Sequence, residues 1–379
     1  MTDTPTATEP PSVADGGAAL RGWMAGMRAE QPVWRDRYGV YQVFRYADVQ
    51  RVLADHADFS SDRSRLMPGS AQLGRGNLTM MDPPEHRQMR RLVSQAFTAK
   101  VVAELEPRIR DVAGELVDSV GDTFDLVDAL AHPLPVIVIA ELLGVPAADR
   151  AQFRKWSVGF GRGDPRALRE MDDYFVAQIR ERRRRPGSDL ISGLLAADID
   201  GDRLGDAEVA SMAGLLLLAG HITTTVLIGN AVLSLDEQPG GWAAAAADPR
   251  TIPGIIEETL RFRPPFTQMS RIATHDVELA GVAIPANALV NAWLISANHD
   301  ERVFERPERF DLARSPNRQT AFGYGIHFCI GAPLARLESR IALELLMRRF
   351  PALSRVPGTA LDFHPHPTCA LKRLPMTTG

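Results

Sequence analysis

Between Val209 and Leu235 the chain carries no charged residue. As a helix, that run is long enough to cross a bilayer core of roughly 30 Å. Its content argues otherwise. It holds His221, Thr223, Thr224, Thr225, Asn230, Ser211, Ser234 and three glycines, and acids flank it on both sides (Asp206, Glu208, Asp236, Glu237) where basic and aromatic anchors would be needed. A helix apolar on nearly every side belongs at the buried centre of a large protein, so no membrane insertion is expected. Periods near 3.6 predict further helices over Pro84–Phe97, Lys100–Val120, Ile255–Phe262 and Ile330–Phe350, the last with Leu334, Leu337, Ile341 and Leu345 on one face. Strand patterns are few: Val40–Phe44, Val277–Ile284 around Gly281, and Leu289–Leu294. The fold class is therefore mainly α with small β-sheets.

The 379 residues suggest two or three domains on length alone. No internal repeat and no Gly/Ser linker divides them, and one large helical domain satisfies the same length. Met1 to Gly17, rich in Thr, Pro, Ala and acid, reads as a disordered tail without the basic and apolar regions of a secretion signal, leaving 18–379 as the folded unit and a cytoplasmic location as the expectation. An apolar fraction of 45% with 24% charged residues is that of a globular protein, and the net charge of −4 speaks against nucleic acid as a partner. The basic run Arg182–Arg185, stopped at Pro186-Gly187, is most simply the C-terminal end of a helix. The segment Trp156–Tyr174, with Gly159, Gly161, Gly163 and Pro165, is a candidate flexible lid.

Cys329 and Cys369 cannot build a disulfide framework or a C-x-x-C zinc site. Cys329 has a distinctive setting, Phe322-Gly323-Tyr324-Gly325-Ile326-His327-Phe328-Cys329-Ile330-Gly331. Alternating glycines permit backbone that a β-carbon forbids. The thiol stands immediately before a helix, whose positive end favours thiolate. Gly331 leaves room for something flat to approach. With no base built in beside it, such a thiolate suits an axial metal ligand better than a nucleophile. Cys369 has no comparable setting.

The run resembles the F-G-x-G-x-H-x-C-x-G haem signature of cytochromes P450, and the resemblance extends from about Tyr41 to Pro375, closest to the soluble bacterial type. It implies that haem b is bound with Cys329 as its iron ligand, and that Phe322, Gly323 and Gly331 belong to the cofactor loop. Haem has two propionates, on which cations should converge. His86 and Arg90, after Asp82-Pro83-Pro84-Glu85, and Arg271 and His327 match the family's propionate contacts. Glu258 and Arg261 lie three apart on one helix face and match the family's E-x-x-R, with Arg309 as the implied third member of a structural Glu–Arg–Arg network. Gln319-Thr320 stands where His-Leu is common before the cysteine loop.

Ala219-Gly220-His221-Ile222-Thr223-Thr224 resembles the family's oxygen-binding segment, A-G-x-[D/E]-T-T. Under that resemblance Ala219 and Gly220 make room for O2, Thr223 is the threonine of the proton relay, and Ile222 stands where an acid is usual. An isoleucine relays no proton, so water, another side chain or the substrate must serve. The implied activity is haem-thiolate monooxygenation of a lipophilic small molecule such as a macrolide or other polyketide intermediate. The pocket maps to Leu73, Gly74, Leu215, Leu218, Ala219, Thr267 and Met269. No flavin or iron–sulfur motif is present, so the expected donors are a ferredoxin and its reductase, docking on Arg87, Arg91, Arg336 and Arg340, with the enzyme a monomer. Peroxide-driven oxidation, desaturation or coupling is the alternative chemistry, and a non-catalytic haem or ligand carrier the alternative class.

Overall fold

The uncharged run forms a single helix of 31 residues, Asp206–Asp236. Asp206 and Glu208 occupy its positive first turn, and the Glu208 carboxylate accepts a hydrogen bond from Gly205 N at 2.8 Å. The structure is a computed structural model that describes residues 9–378 apart from 14, 16, 67–75, 150, 151, 154, 157, 158, 160–163, 200, 365 and 366. The helices Pro133–Leu142, Pro165–Arg184, Ile252–Phe262 and Ala332–Arg349 pack around Asp206–Asp236. That central helix is apolar enough to span a membrane, but most of its apolar stretch is buried in the protein. Each fully buried leucine, such as Leu217 and Leu233, contributes roughly 2 kcal/mol.

Beside the helices lies a five-stranded sheet in the order Val33–Arg35, Tyr41–Val43, Leu289–Ala292, Met269–Ala273 and Phe59–Ser60. Only the pairing of Tyr41–Val43 with Leu289–Ala292 is parallel. The register sets Arg271 opposite Val290, and Ser60 opposite Ile272. This edge brings residues near position 60 beside Arg271.

Several expectations are refined. Lys100–Val120 is two helices, Ala99–Glu104 and Glu106–Asp118, because Pro107 supplies no amide proton to continue the first. Val277–Ile284 is a hairpin turning at Ala280 and Gly281, both with positive φ. Ahead of residue 18, Val13 is buried with Leu20, Met24, Phe44 and Trp293. Part of the expected lid is regular structure, since Pro165–Tyr174 lies in the helix capped by Asp164. Trp156 Nε1 donates to Glu170 Oε2 at 3.1 Å and Tyr174 Oη to Asp149 Oδ2 at 2.7 Å. Gly161 and Gly163 lie outside the described residues. In the basic run, Arg182 is built into the fold, donating to Asp189 Oδ1 at 2.9 Å and Gly144 O at 2.6 Å, and Arg183 pairs with Asp206.

Glu258 and Arg261 are both buried and meet in a bidentate pair, Nε to Oε2 at 2.9 Å and Nη2 to Oε1 at 2.7 Å. The third member is Arg314 rather than Arg309. Arg314 Nε lies 3.1 Å from Glu258 Oε2, while the Arg309 side chain is exposed and lends only its carbonyl, to Arg261 Nη2 at 2.8 Å. Arg309 stands in the element Pro307-Glu308-Arg309-Phe310 that suggested it, but burial selects Arg314, five residues on, whose guanidinium reaches inward. Asn317 Nδ2 and Asp311 N complete the carboxylate's partners. Arg261 Nη1 also donates to Asn298 O and Pro307 O, and Asn298 Oδ1 accepts from Thr320 N and Oγ1, just ahead of Phe322. Gln319 joins the same scaffold through Glu257 at 3.2 Å. Arg314→Ala leaves a buried carboxylate short of a cation and lowers unfolding free energy by about 3 kcal/mol. Arg309→Ala stays within about 0.5 kcal/mol. Urea denaturation of the two variants measures the difference.

Candidate functional site

Gly323 and Gly325 hold φ of 76° and 72°, and a β-carbon on Gly325 would stand 2.8 Å from Ala54 Cα. Glycine is required there by both backbone and space. The loop closes with Cys329 N donating to Phe322 O at 2.9 Å, and the helix Ala332–Arg349 starts directly after Gly331. Cys329 is open to solvent, yet burial raises its thiol pKa. The amides of Gly331 and Ala332 and the charges of Arg90 and Arg336 pull the other way, toward thiolate. A β-carbon on Gly331 would touch nothing of the protein but Cys329 Sγ, at 3.8 Å, so internal packing does not account for this glycine. Phe322 is half-buried, with the Arg336 guanidinium 4.5 Å from its ring centroid.

His86 and Arg90 from the helix Glu85–Ala96, Arg271 from the strand Met269–Ala273 and His327 from the cysteine loop converge. The rings of His86 and His327 lie 4.3 Å apart. Arg90 Nη2 donates to Phe328 O at 2.6 Å, beside the cysteine. Burial, then Arg271, His86 and Arg90, push His327 down to about 3. Burial and then Arg90 push His86 down to about 4, with Asp82 opposing. Burial lowers Arg271 to about 10. Among the described residues His86 Nε2 is buried without a hydrogen-bond partner. Two arginines that depress two neighbouring histidines, with a single acid opposing, form a site suited to an anion. Asp82, His56 and Ser61, whose hydroxyl lies 3.0 Å from His327 Nε2, belong to this cluster without having been assigned roles from sequence. Asp82 sits inside the motif that carries His86; nothing local to His56 or Ser61 marks them.

The central helix has one open stripe. Ala219 is exposed, and Leu215, Leu218, Ile222 and Thr223 are half-buried, at spacings that share a face. Gly220 turns away from it: a β-carbon there would press on Ile139 at 3.3 Å, so its smallness serves helix packing, and of the expected small pair only Ala219 borders the opening. Thr223 Oγ1 donates to Ala219 O at 2.8 Å, and Thr224 and Thr225 repeat the pattern onto Gly220 O and His221 O. His221 is buried, its Nδ1 2.7 Å from Leu217 O and its ring 6.0 Å from that of His132, so it does not share the Ile222–Thr223 face. Met269 is half-buried at the start of its strand. Thr267 is a tether rather than a pocket wall: it is fully buried and both its N and its Oγ1 donate to Pro367 O, at 2.9 and 3.0 Å. Leu73 and Gly74 lie outside the described residues. Two of the arginines expected to dock a partner are engaged within the protein, Arg336 with Glu257 at 2.6 Å and Arg340 with Glu106 at 2.9 Å. Cys369 is fully buried, its thiol pushed up to about 11, and remains structural.

The family described as "Cytochrome P450" matches residues 32–144 and 252–367. The "Erythromycin C-12 hydroxylase" of Saccharopolyspora erythraea is 51% identical over 92% of this chain and 91% of its own length. The "Cyclomarin C epoxidase CymV" of Salinispora arenicola is 44% identical over 96% of each. The open form of the cytochrome P450 EryK from S. erythraea superposes with a TM-score of 0.93 at 48% identity, covering 98% of both chains. This chain belongs to the cytochrome P450 family. It is a haem-thiolate oxidoreductase that takes O2 and electrons from redox partners and acts on a small molecule.

The residues fit the cofactor. Among the described residues no group of three or more His, Cys, Asp or Glu could hold a bare metal ion, so an iron here must bring its own equatorial ligands. Haem does so, and its two carboxylates answer the cation cluster while its flat face answers the unfilled space at Gly331.

His221 gives a pH signature separate from the haem site. Burial lowers its pKa to about 4 from 6.5, so the unfolded chain binds the proton first as pH falls. Stability due to neutral His221 is complete above pH 6.5 and is lost progressively toward pH 4, by on the order of 1 kcal/mol per pH unit. Denaturation at pH 7, 6 and 5 shows the wild type losing ground steadily to His221→Gln.

Proposed function

We propose that this enzyme monooxygenates a lipophilic natural-product intermediate such as a macrolide or other polyketide, working as a cytoplasmic monomer supplied with single electrons by a ferredoxin and its reductase. The observation that carries the reading is the Cys329 thiol on a glycine-shaped loop, beside the convergence of His86, Arg90, Arg271 and His327. When bound, haem supplies the oxidising chemistry, the thiolate promoting O–O cleavage. The chain's own residues do the rest. Cys329 would ligate the iron, with the Gly331 and Ala332 amides stabilising its negative charge. Arg90, Arg271, His86 and His327 would take the carboxylates and fix the cofactor's orientation.

Above it, Leu215, Leu218, Ala219, Ile222 and Met269 would present an apolar wall that excludes water and holds an apolar substrate. Relatives named for erythromycin and cyclomarin support a large substrate. A ferredoxin fits a chain that carries haem but no flavin or iron–sulfur motif to pass it electrons. With Arg336 and Arg340 already paired, its docking would depend on other surface groups.

Proton delivery is where this chain departs. Ile222 offers no acid, and the Thr223 hydroxyl rests on Ala219 O. A water held at Thr223 is the remaining carrier on this face. Ile222→Glu therefore increases product formed per NADPH and lowers peroxide release, and Thr223→Ala does the reverse by roughly tenfold. Product, NADPH and peroxide measured together in a ferredoxin-supported assay decide it. Turnover with added peroxide and none with ferredoxin would replace the monooxygenase reading by a peroxide-driven one.

A further inference from the structure

Ser61 follows the edge strand Phe59–Ser60 and is buried. Its N–H donates to Asp82 Oδ1 at 2.9 Å, and the hydroxyl of Ser60 donates to Oδ2 of the same carboxylate. Asp62 N in turn donates to Ser60 Oγ at 3.0 Å. One aspartate thus clamps both serines at the edge of the cation cluster. The free end of this clamp is Ser61 Oγ, 3.0 Å from His327 Nε2.

A hydroxyl has one proton to donate. Among the described residues no acceptor for the Ser61 proton other than His327 Nε2 is within reach. Were Nε2 itself protonated and Nδ1 bare, the serine would accept and its own buried proton would have no destination. With Ser61 donating, the ring proton stands on Nδ1, and no described side chain pairs with that nitrogen. Nδ1–H is then the group His327 offers to whatever enters the cluster, alongside His86 Nε2, which also lacks a partner.

We propose that Ser61, clamped by Asp82, is a positioning residue that fixes the tautomer and orientation of His327 so that Nδ1–H is presented to a carboxylate of the haem. This rests on the reading that His86, Arg90, Arg271 and His327 receive those carboxylates. Ser61 does not touch the cofactor; it acts through the imidazole. A loosely held ring would offer either nitrogen, and the cofactor would be held less firmly.

The direct test is nitrogen-15 NMR of histidine-labelled holoenzyme in the reduced carbon monoxide complex, which is diamagnetic. The wild type shows His327 protonated on Nδ1, and Ser61→Ala loses that preference. A wild-type ring with Nδ1 unprotonated overturns the proposal. The second readout is the rate at which haem transfers to a haem-free globin. Ser61→Ala speeds transfer about fivefold, the scale of one lost hydrogen bond, and shifts the reduction midpoint, while Ser61→Thr, keeping the hydroxyl, behaves as wild type. Equal transfer rates for wild type and Ser61→Ala also overturn it. Arg271→Ala separates the two levels. If it accelerates haem loss and Ser61→Ala does not, Ser61 alone is misassigned; if neither does, the cluster is not where the carboxylates bind.

Discussion

The convergence of two arginines and two histidines on one part-buried spot is the constraint on which the rest of the structure depends. His86 and Arg90 come from the helix Glu85–Ala96, Arg271 from the sheet, and His327 from the cysteine loop. Burial and the charges of Arg90 and Arg271 hold both histidines well below their usual pKa, and one acid, Asp82, opposes this at His86. Two guanidinium groups in a part-buried place carry a desolvation cost that an anion would offset. Haem's carboxylates supply that anion, so cofactor binding and the convergence of three distant segments are one event. The sheet register that places Phe59–Ser60 beside Met269–Ala273 brings Ser61 and Arg271 into the same neighbourhood.

The thiol is held by a different device. Glu258 gathers Arg261, Arg314 and Asn317, and Arg261 passes the constraint through Asn298 to Thr320, two residues before Phe322. From there the loop needs only the positive-φ glycines and the Cys329–Phe322 backbone bond to aim the sulfur. A buried ion network of this kind adds little net stability but penalises any arrangement that leaves a member unpaired. That property suits a scaffold whose task is to hold one sulfur in one place.

What was legible in the sequence was what repeats with fixed spacing. The cysteine loop, the central helix and the pair Glu258–Arg261 are local patterns, and each stands where its motif placed it. What was not legible depends on which neighbour a side chain meets. The motif pointed to Arg309, and only packing turns Arg314 inward in its place. Thr267 lies beside Met269 in sequence, but the strand's neighbour at Pro367 takes its hydroxyl. Gly220 and Ala219 are both small, but Ile139 covers one and leaves the other open. Arg336 and Arg340 looked free because Glu257 and Glu106 are far away in sequence. Ser61 carries no motif at all, and its place follows from strand pairing and from Asp82.

The central helix joins these parts. Its burial makes it rigid, its single open stripe forms one wall of the reaction space, and its Ile222 removes the usual proton donor without disturbing the threonine ladder beside it. All of this presumes that Cys329 ligates the iron as thiolate. The reduced carbon monoxide difference spectrum tests that most directly. The wild-type holoenzyme is predicted to show the strongly red-shifted Soret band of thiolate-ligated haem, and Cys329→Ser to lose it. A wild type without the shifted band, or a Cys329→Ser variant that keeps it, contradicts the account.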